Sequence, residues 1–187
     1  RLNRIEVDVR STFSKKLGTI ITKKKNIINK NTIRGISFTK NDAKITLIGV
    51  KDKPGVAASI FKPLYENSIN VDMVVQNISA NSRETDLTFT IKLEDLIKTK
   101  KLLQNNKSIK FEKLIVNKNV SKVSIIGVGM ITTPGVTYRM FKALAKKKIN
   151  IEVISTSEIK ISVLINKKNL KKSVEILHQE FKLNHNL

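Results

Sequence analysis

Residues 45–77 read ITLIGVKDKPGVAASIFKPLYENSINVDMVVQN, and residues 123–157 read VSIIGVGMITTPGVTYRMFKALAKKKINIEVISTS. The two stretches are versions of one unit. Ile48-Gly49-Val50 answers Ile126-Gly127-Val128, and Pro54-Gly55-Val56 answers Pro134-Gly135-Val136. Phe61 answers Phe141, and Ile69-Asn70-Val71 answers Ile149-Asn150-Ile151. A unit of about 80 residues is too long for a solenoid repeat and suits a pair of small domains. In each repeat a β-rich run ends at a Pro-Gly turn, after which apolar residues recur at helical spacing. In the first repeat these are Val56, Ile60, Phe61 and Leu64, and Asn67-Ser68 closes the helix. Pro54 suits the first turn of that helix, where its missing N–H costs nothing.

Working outward, the first repeat continues with strands over 69–76 and 85–91, a helix over 93–103 and a strand over 109–116. That order is βαββαβ, the ferredoxin-like split motif. The second repeat has strands over 123–128, 149–154 and 159–165, with helices over 134–146 and 169–181. It then lacks a last strand, because residues 182–187 are short and polar. The unassigned strand TIRGISFT at 32–39 is available and is expected to complete that sheet. The fold class is therefore α+β: two ferredoxin-like βαββαβ domains, the first inserted into the second. Residues 41–117 form one domain, and residues 32–40 plus 118–187 form the other. Residues 1–31 carry a strand-like stretch at Ile5–Val9, a second apolar patch at Gly18–Ile21 and a basic linker at Lys23–Asn31.

The composition is that of a globular protein, with 40% hydrophobic residues over 187 positions. Cysteine is absent, which removes disulfides and thiolate metal sites and fits a cytoplasmic protein. No apolar run approaches the roughly 20 residues of a spanning helix, so no membrane is expected as a partner. The first residue is Arg1 and not Met, so the stretch reads as a fragment. The net charge of +21, from 36 Lys and Arg against 15 Asp and Glu, admits a basic nucleic-acid-binding module as an alternative. Lysine far outnumbers the arginine that phosphate readers favour, aromatics are 5% and Trp is absent. The lysines are also dispersed along the chain, so no nucleic acid is expected.

The Pro-Gly turns are the places for chemistry. A helix N-terminus offers free N–H groups and a partial positive charge, which suit a carboxylate. Gly55 lets a ligand approach the backbone closely, and Val56, Ala57 and Ala58 supply further N–H groups. Asp52 either pairs with an ammonium or caps the helix. Gln76, at the end of the neighbouring strand, either meets a ligand with its amide or faces water. In the second repeat Thr132 stands where Asp52 does, so the two sites differ chemically. Asn150, Ile151, Thr156, Ser157 and Glu158 form the matching wall, and Ser155–Glu158 reads as a wall of a site or as a β-turn. Catalytic and metal-binding signals are weak. The two histidines, His178 and His185, lie near the C-terminus, and no phosphate loop, dinucleotide fingerprint or nucleophile elbow is present. The residues read as a binder of small molecules.

The strings DKPGVAASIF at 52–61, INVDMVVQN at 69–77, TDLTFT at 85–90, VSIIGVGM at 123–130, PGVTYRMFKAL at 134–144 and INIEVISTSEIKISVLI at 149–165 resemble the C-terminal regulatory region of aspartate kinases, which carries tandem ACT domains. The resemblance covers about residues 4–183. It departs from the family at Leu17, where a proline is usual, and in the more basic linker at 23–31. The resemblance implies that residues 1–31 are the end of a kinase domain and its linker, and that the catalytic domain, with its ATP and Mg, lies outside this stretch. No catalytic residue, metal or cofactor is then expected here. It further implies binding of lysine and/or threonine as feedback inhibitors, and a homodimer formed through the ACT domains. By analogy the effector carboxylate meets the backbone at Gly55–Ala57, beside Pro54 and including Val56, its ammonium meets Asp52 or the strand's carbonyls, Gln76 takes the polar side chain or head group, and Asn150 and Ile151 close the site from the partner ACT domain. A second site, for lysine, draws on Met130, Thr137, Asp72, Ser157 and Glu158. An ACT region of another amino-acid enzyme is the remaining alternative.

Overall fold

The computed structural model of the chain describes residues 7–9, 19–21, 32–78, 84–106, 108–131 and 133–183. The basic linker at 23–31, residues 79–83, Thr132 and His185 lie outside the described residues. The chain divides into two units, residues 1–31 and residues 32–187. In the first, β1 (Val7–Val9) pairs antiparallel with β2 (Thr19–Ile21).

The second unit runs β3 (Gly35–Lys51), α1 (Val56–Glu66), β4 (Val71–Ile78), β5 (Glu84–Lys92), α2 (Leu96–Asn105), β6 (Lys113–Ile126), α3 (Val136–Lys146), β7 (Ile151–Ser157), β8 (Lys160–Asn166) and α4 (Leu170–Glu180). Its strands form one antiparallel sheet in the order β4-β5-β3-β6-β8-β7. The strand expected over 32–39 does pair with the second repeat: Gly35 lies opposite Ile126 and Thr39 opposite Lys122. It also runs straight on into the first repeat's opening strand, so the two are one 17-residue strand. In the same way the strands expected over 109–116 and 123–128 are one strand, β6.

This sharing explains the insertion. The later half of β3 is the first strand of the first repeat, and the early half of β6 is its fourth. The later half of β6 is the first strand of the second repeat, and the early half of β3 is its fourth. Each half-sheet thus keeps the ferredoxin-like order, with its first strand central.

Alternation along the shared strands then builds two cores. Ala43, Ile45 and Leu47 are fully buried against Ile60 and Leu64 of α1 and Leu96 and Leu103 of α2. Phe61 meets Phe89 edge to face, with centroids 5.2 Å apart. Val123 and Ile125 are buried against Val136, Met140 and Leu144 of α3 and Leu177 of α4. Pro54 is not inside the helix. It sits in the turn before it, and Gly55 is the N-cap, with φ +86°. Gly135 repeats this with φ +86°. A left-handed residue at the cap explains why glycine stands at both positions. Both helices also end alike, with Ser68 and Lys148 left-handed at φ +57° after the last turn.

The faces of the sheet without helices turn toward one another. Edge strands β4 and β7, at opposite ends of the sheet order, touch. A third, small core of Met73, Val120, Val153 and Leu164 lies between them. Two ion pairs flank it: Lys44 of β3 with Glu152 of β7, and Lys122 of β6 with Asp72 of β4. Lys44 and Lys122 are the same position of the two repeats, as are Asp72 and Glu152. Each lysine therefore reaches across to the carboxylate of the other repeat. Asn117 Nδ2 donates to Glu152 Oε2 at 3.2 Å, completing that pair.

Candidate functional site

Each Pro-Gly turn opens on a cleft. The first, of about 340 Å³, is lined by Lys51, Lys53, Pro54, Gly55, Val56, Ser59, Ser108 and Lys110. The second, of about 450 Å³, is lined by Met130, Thr133, Pro134, Gly135, Val136, Thr137, Thr156, Ser157, Glu158 and Ile161. Among the described residues no side chain caps α1 or α3; the Val56 N–H is engaged by the Lys53 carbonyl at 3.2 Å, so it is the later first-turn N–H groups of α1 that are not spent on a cap. The αL glycine also leaves the approach open, because a Cβ at Gly55 or Gly135 would meet nothing within 4 Å. A carboxylate can therefore lie against the helix end in either cleft.

The charges differ sharply. Among the described residues, three lysines rim the first cleft and no carboxylate lines it. In the second, Glu158 is the sole charged lining residue among those described. Glu158 and Ile159 form the hairpin turn between β7 and β8, so Ser155–Ser157 is strand and the turn follows it. Ser157 Oγ donates to the Lys160 carbonyl at 3.3 Å across the hairpin.

Of the set that the resemblance implies for a second site, the second cleft brings together Met130, Thr137, Ser157 and Glu158, and Thr156 joins them. Asp72 stands apart from it, in the ion pair with Lys122. The first cleft contains Pro54, Gly55 and Val56. Ala57 is half-buried in the first turn of α1 but does not line the cleft, and exposed Asp52 does not either. Gln76 is exposed on edge strand β4, opposite Leu87 of β5. Asn150 is exposed ahead of β7, and Ile151 packs half-buried against the second repeat's core. Ser59, Ser108, Lys51, Lys53 and Lys110 were missed for the first cleft. Ser59 was detectable, one helical turn beyond Gly55 on the cleft side. Ser108 and Lys110 come from the segment leading into β6, which only the sheet order brings alongside.

Burial alone would raise the Asp72 carboxyl. The hydrogen bond and charge of Lys122, the Met73 N–H and the charge of Lys160 outweigh it and hold the group below the ordinary aspartate value. A depressed carboxylate contributes stability that is present above the unfolded value and is lost as pH falls through the folded one. In Lys122→Met the Asp72 titration, followed by carboxyl NMR, is expected to move up. The stability gap to the unmodified protein should be full at pH 7 and should close below about pH 4.

Among the described residues no helix is long and apolar enough to cross a membrane, and no three His, Cys, Asp or Glu side chains converge.

The profile of the ACT domain matches residues 45–106 and 123–181. The chain is 42% identical over 181 residues to an aspartate kinase of Pseudomonas fluorescens, covering 96% of this chain and 44% of that one. It therefore spans less than half the length of the curated relatives it matches. A crystal structure of aspartokinase alpha and beta subunits superposes with a TM-score of 0.72 at 40% identity, over 81% of this chain and 99% of that one. The ligand-free regulatory subunit of aspartate kinase from Thermus thermophilus superposes with a TM-score of 0.74 at 36% identity, over 80% of this chain and 99% of that one.

Proposed function

Because this chain belongs to the aspartate kinase family and carries its regulatory ACT domains, we propose that it is an allosteric amino-acid receptor whose two clefts take the end products L-lysine and L-threonine. The observation that carries this is the pair of uncapped helix N-termini, each behind an αL glycine and each opening on a cleft of amino-acid size. The contrast in charge supports one assignment of the ligands. A second ammonium suits the cleft that holds Glu158 and, among its described lining residues, no lysine. The lysine-rimmed cleft disfavours that cation and suits the neutral threonine side chain, with Ser59 and Ser108 as hydroxyl partners.

On this reading Gln76, on the outward edge of β4, reaches a ligand across a homodimer built through the ACT domains, as Asn150 and Ile151 do. The effectors act on a kinase domain or subunit that phosphorylates L-aspartate in the cytoplasm. ATP and Mg belong to that domain and not to this chain. Occupancy acts only through differential affinity for two arrangements, and about 100-fold corresponds to roughly 2.7 kcal/mol.

Isothermal titration calorimetry tests the assignment. Lysine is expected to bind saturably and to weaken about tenfold in Ser157→Ala, the worth of one hydrogen bond. Threonine binding should weaken similarly in Gln76→Ala. Unchanged binding of both ligands in both variants would refute the site assignment.

A further inference from the structure

The duplication supplies an internal control for the surface, because a place that differs in chemistry between the repeats is not required by their common fold. One such place lies where the second helix of each repeat packs beside its fourth strand. In the first repeat, α2 and the early half of β6 enclose a trough of about 450 Å³. Leu96, Ile97 and Val116 form its floor, and Ile97 is 71% exposed there. Lys100, Lys101, Gln104 and Lys118 form its rim. Among the described residues none of these three lysines pairs with a carboxylate.

Local structure sets this shape. Thr99 is buried beneath α2, and its hydroxyl donates to the Asp95 carbonyl at 2.8 Å. Ile97, Lys100, Lys101 and Gln104, at helical spacing, then share one outer stripe. Val116 packs partly against the first core, and Lys118 follows two residues later on the same strand. The second repeat closes the same place. Phe38 stands where Val116 does, since Phe38 lies opposite Val123 as Val116 lies opposite Ile45. Lys40 Nζ sits 5.6 Å from the centre of the Phe38 ring. Ser173 repeats Thr99, with its hydroxyl on the Asn169 carbonyl at 2.8 Å, so Val174 and Glu175 stand where Lys100 and Lys101 do. The ring and the carboxylate of the second repeat are thus a smaller valine and a lysine in the first.

We propose that this trough docks a short segment of a partner protein that carries acidic side chains on either side of a bulky apolar anchor. The anchor lies on Leu96, Ile97 and Val116, and the carboxylates meet Lys100, Lys101 and Lys118. Gathered like charges repel one another, and exposed apolar surface is costly, so one partner of this kind relieves both. A nucleic acid fits less well. Among the described lining residues there is no aromatic ring for a base to stack on and no arginine fork for a phosphate. The trough shares no lining residue with either effector cleft, so the inference stands apart from the receptor reading.

The test titrates a fluorescein-labelled peptide, DEEFLDEE, with the whole chain and follows fluorescence anisotropy. Saturable binding is expected, and it should weaken about tenfold as NaCl rises from about 50 to about 300 mM. The peptide DEESSDEE, which lacks the anchor, should bind about tenfold more weakly. Lys100→Glu combined with Lys101→Glu should weaken DEEFLDEE at least about tenfold. Val116→Phe, which gives the first repeat the residue of the second, should fill the trough and weaken it about fivefold. Lys167→Glu combined with Lys168→Glu removes the same charge from another exposed place, and binding should stay within about twofold. Circular dichroism checks that each variant is folded. Equal binding of the two peptides, or an equal loss in the two charge-reversed variants, would overturn the proposal and leave only a diffuse basic surface. Tighter binding of an oligothymidylate of equal charge, unchanged binding in folded Val116→Phe, or no saturable binding by the unmodified chain would overturn it as well.

Discussion

Gly127→Val is expected to lose about 3 kcal/mol of stability, to lose lysine binding in the second cleft and to keep the first repeat folded. Overpacking a tight core site costs roughly 1–3 kcal/mol when side chains can give way. Here the obstacle is backbone, because the Thr32 carbonyl and the Ile33 Cα occupy the space of the new side chain. Relief requires the start of β3 to lift from β6. That withdraws Ile33, now 2% exposed, from the second core, a further loss on the order of 2 kcal/mol. Gly135→Ala supplies the contrast. Its Cβ meets nothing within 4 Å, so the cost is only the left-handed backbone at φ +86°, about 1 kcal/mol. Urea denaturation followed by circular dichroism reads both. Equal midpoints for the two variants would show that the crossing of residues 32–33 over the turn does not hold in solution.

Glu152→Ala is expected to cost about 2 kcal/mol, more than Asp72→Ala, although the two carboxylates are equivalent by repeat. Exposed pairs contribute about 0–1 kcal/mol, and breaking a buried one costs about 3–5. The Lys44–Glu152 side chains are 20% and 18% exposed, and removing Glu152 strands both the Lys44 ammonium and the Asn117 amide. Asp72 is 55% exposed, so water already screens its bond to Lys122. Both pairs close the same approach of β4 to β7 around Met73, Val120, Val153 and Leu164. Loosening one should therefore weaken the other, and the double variant should be less costly than the sum by about 0.5 kcal/mol or more. Strict additivity would show that the pairs act separately.

The chain's repeat was legible because the chemistry that builds it is local. Gly55 and Gly135 take a left-handed cap, apolar residues fall on one face of α1 and α3, and strands alternate or run apolar by their burial. Local too was the missing last strand of the second repeat, which directed attention to 32–39. In the second cleft Thr156, Ser157 and Glu158 could be read from the residues as a polar wall, whereas Met130 and Thr137 came only from the family resemblance. Asp72 was grouped with them on its charge, and that charge is engaged by Lys122 from the other repeat. Lys51, Ser108 and Lys110 gave no signal as cleft residues, because what unites them is the position of β3 beside β6.

By itself, then, the sequence determined the elements, the duplication, the inserted topology and the two Pro-Gly turns that open on clefts. These follow from backbone preference and hydrophobic period, which neighbouring residues set. The tertiary structure alone decided three further things: that the strands fuse into two long shared ones, that the lysines cross to the opposite repeat's carboxylates, and that residues 32–33 cross the turn at Gly127–Gly129. Each depends on which surfaces a curled sheet brings together, and residues 50 to 108 positions apart meet there with no local pattern to announce the contact.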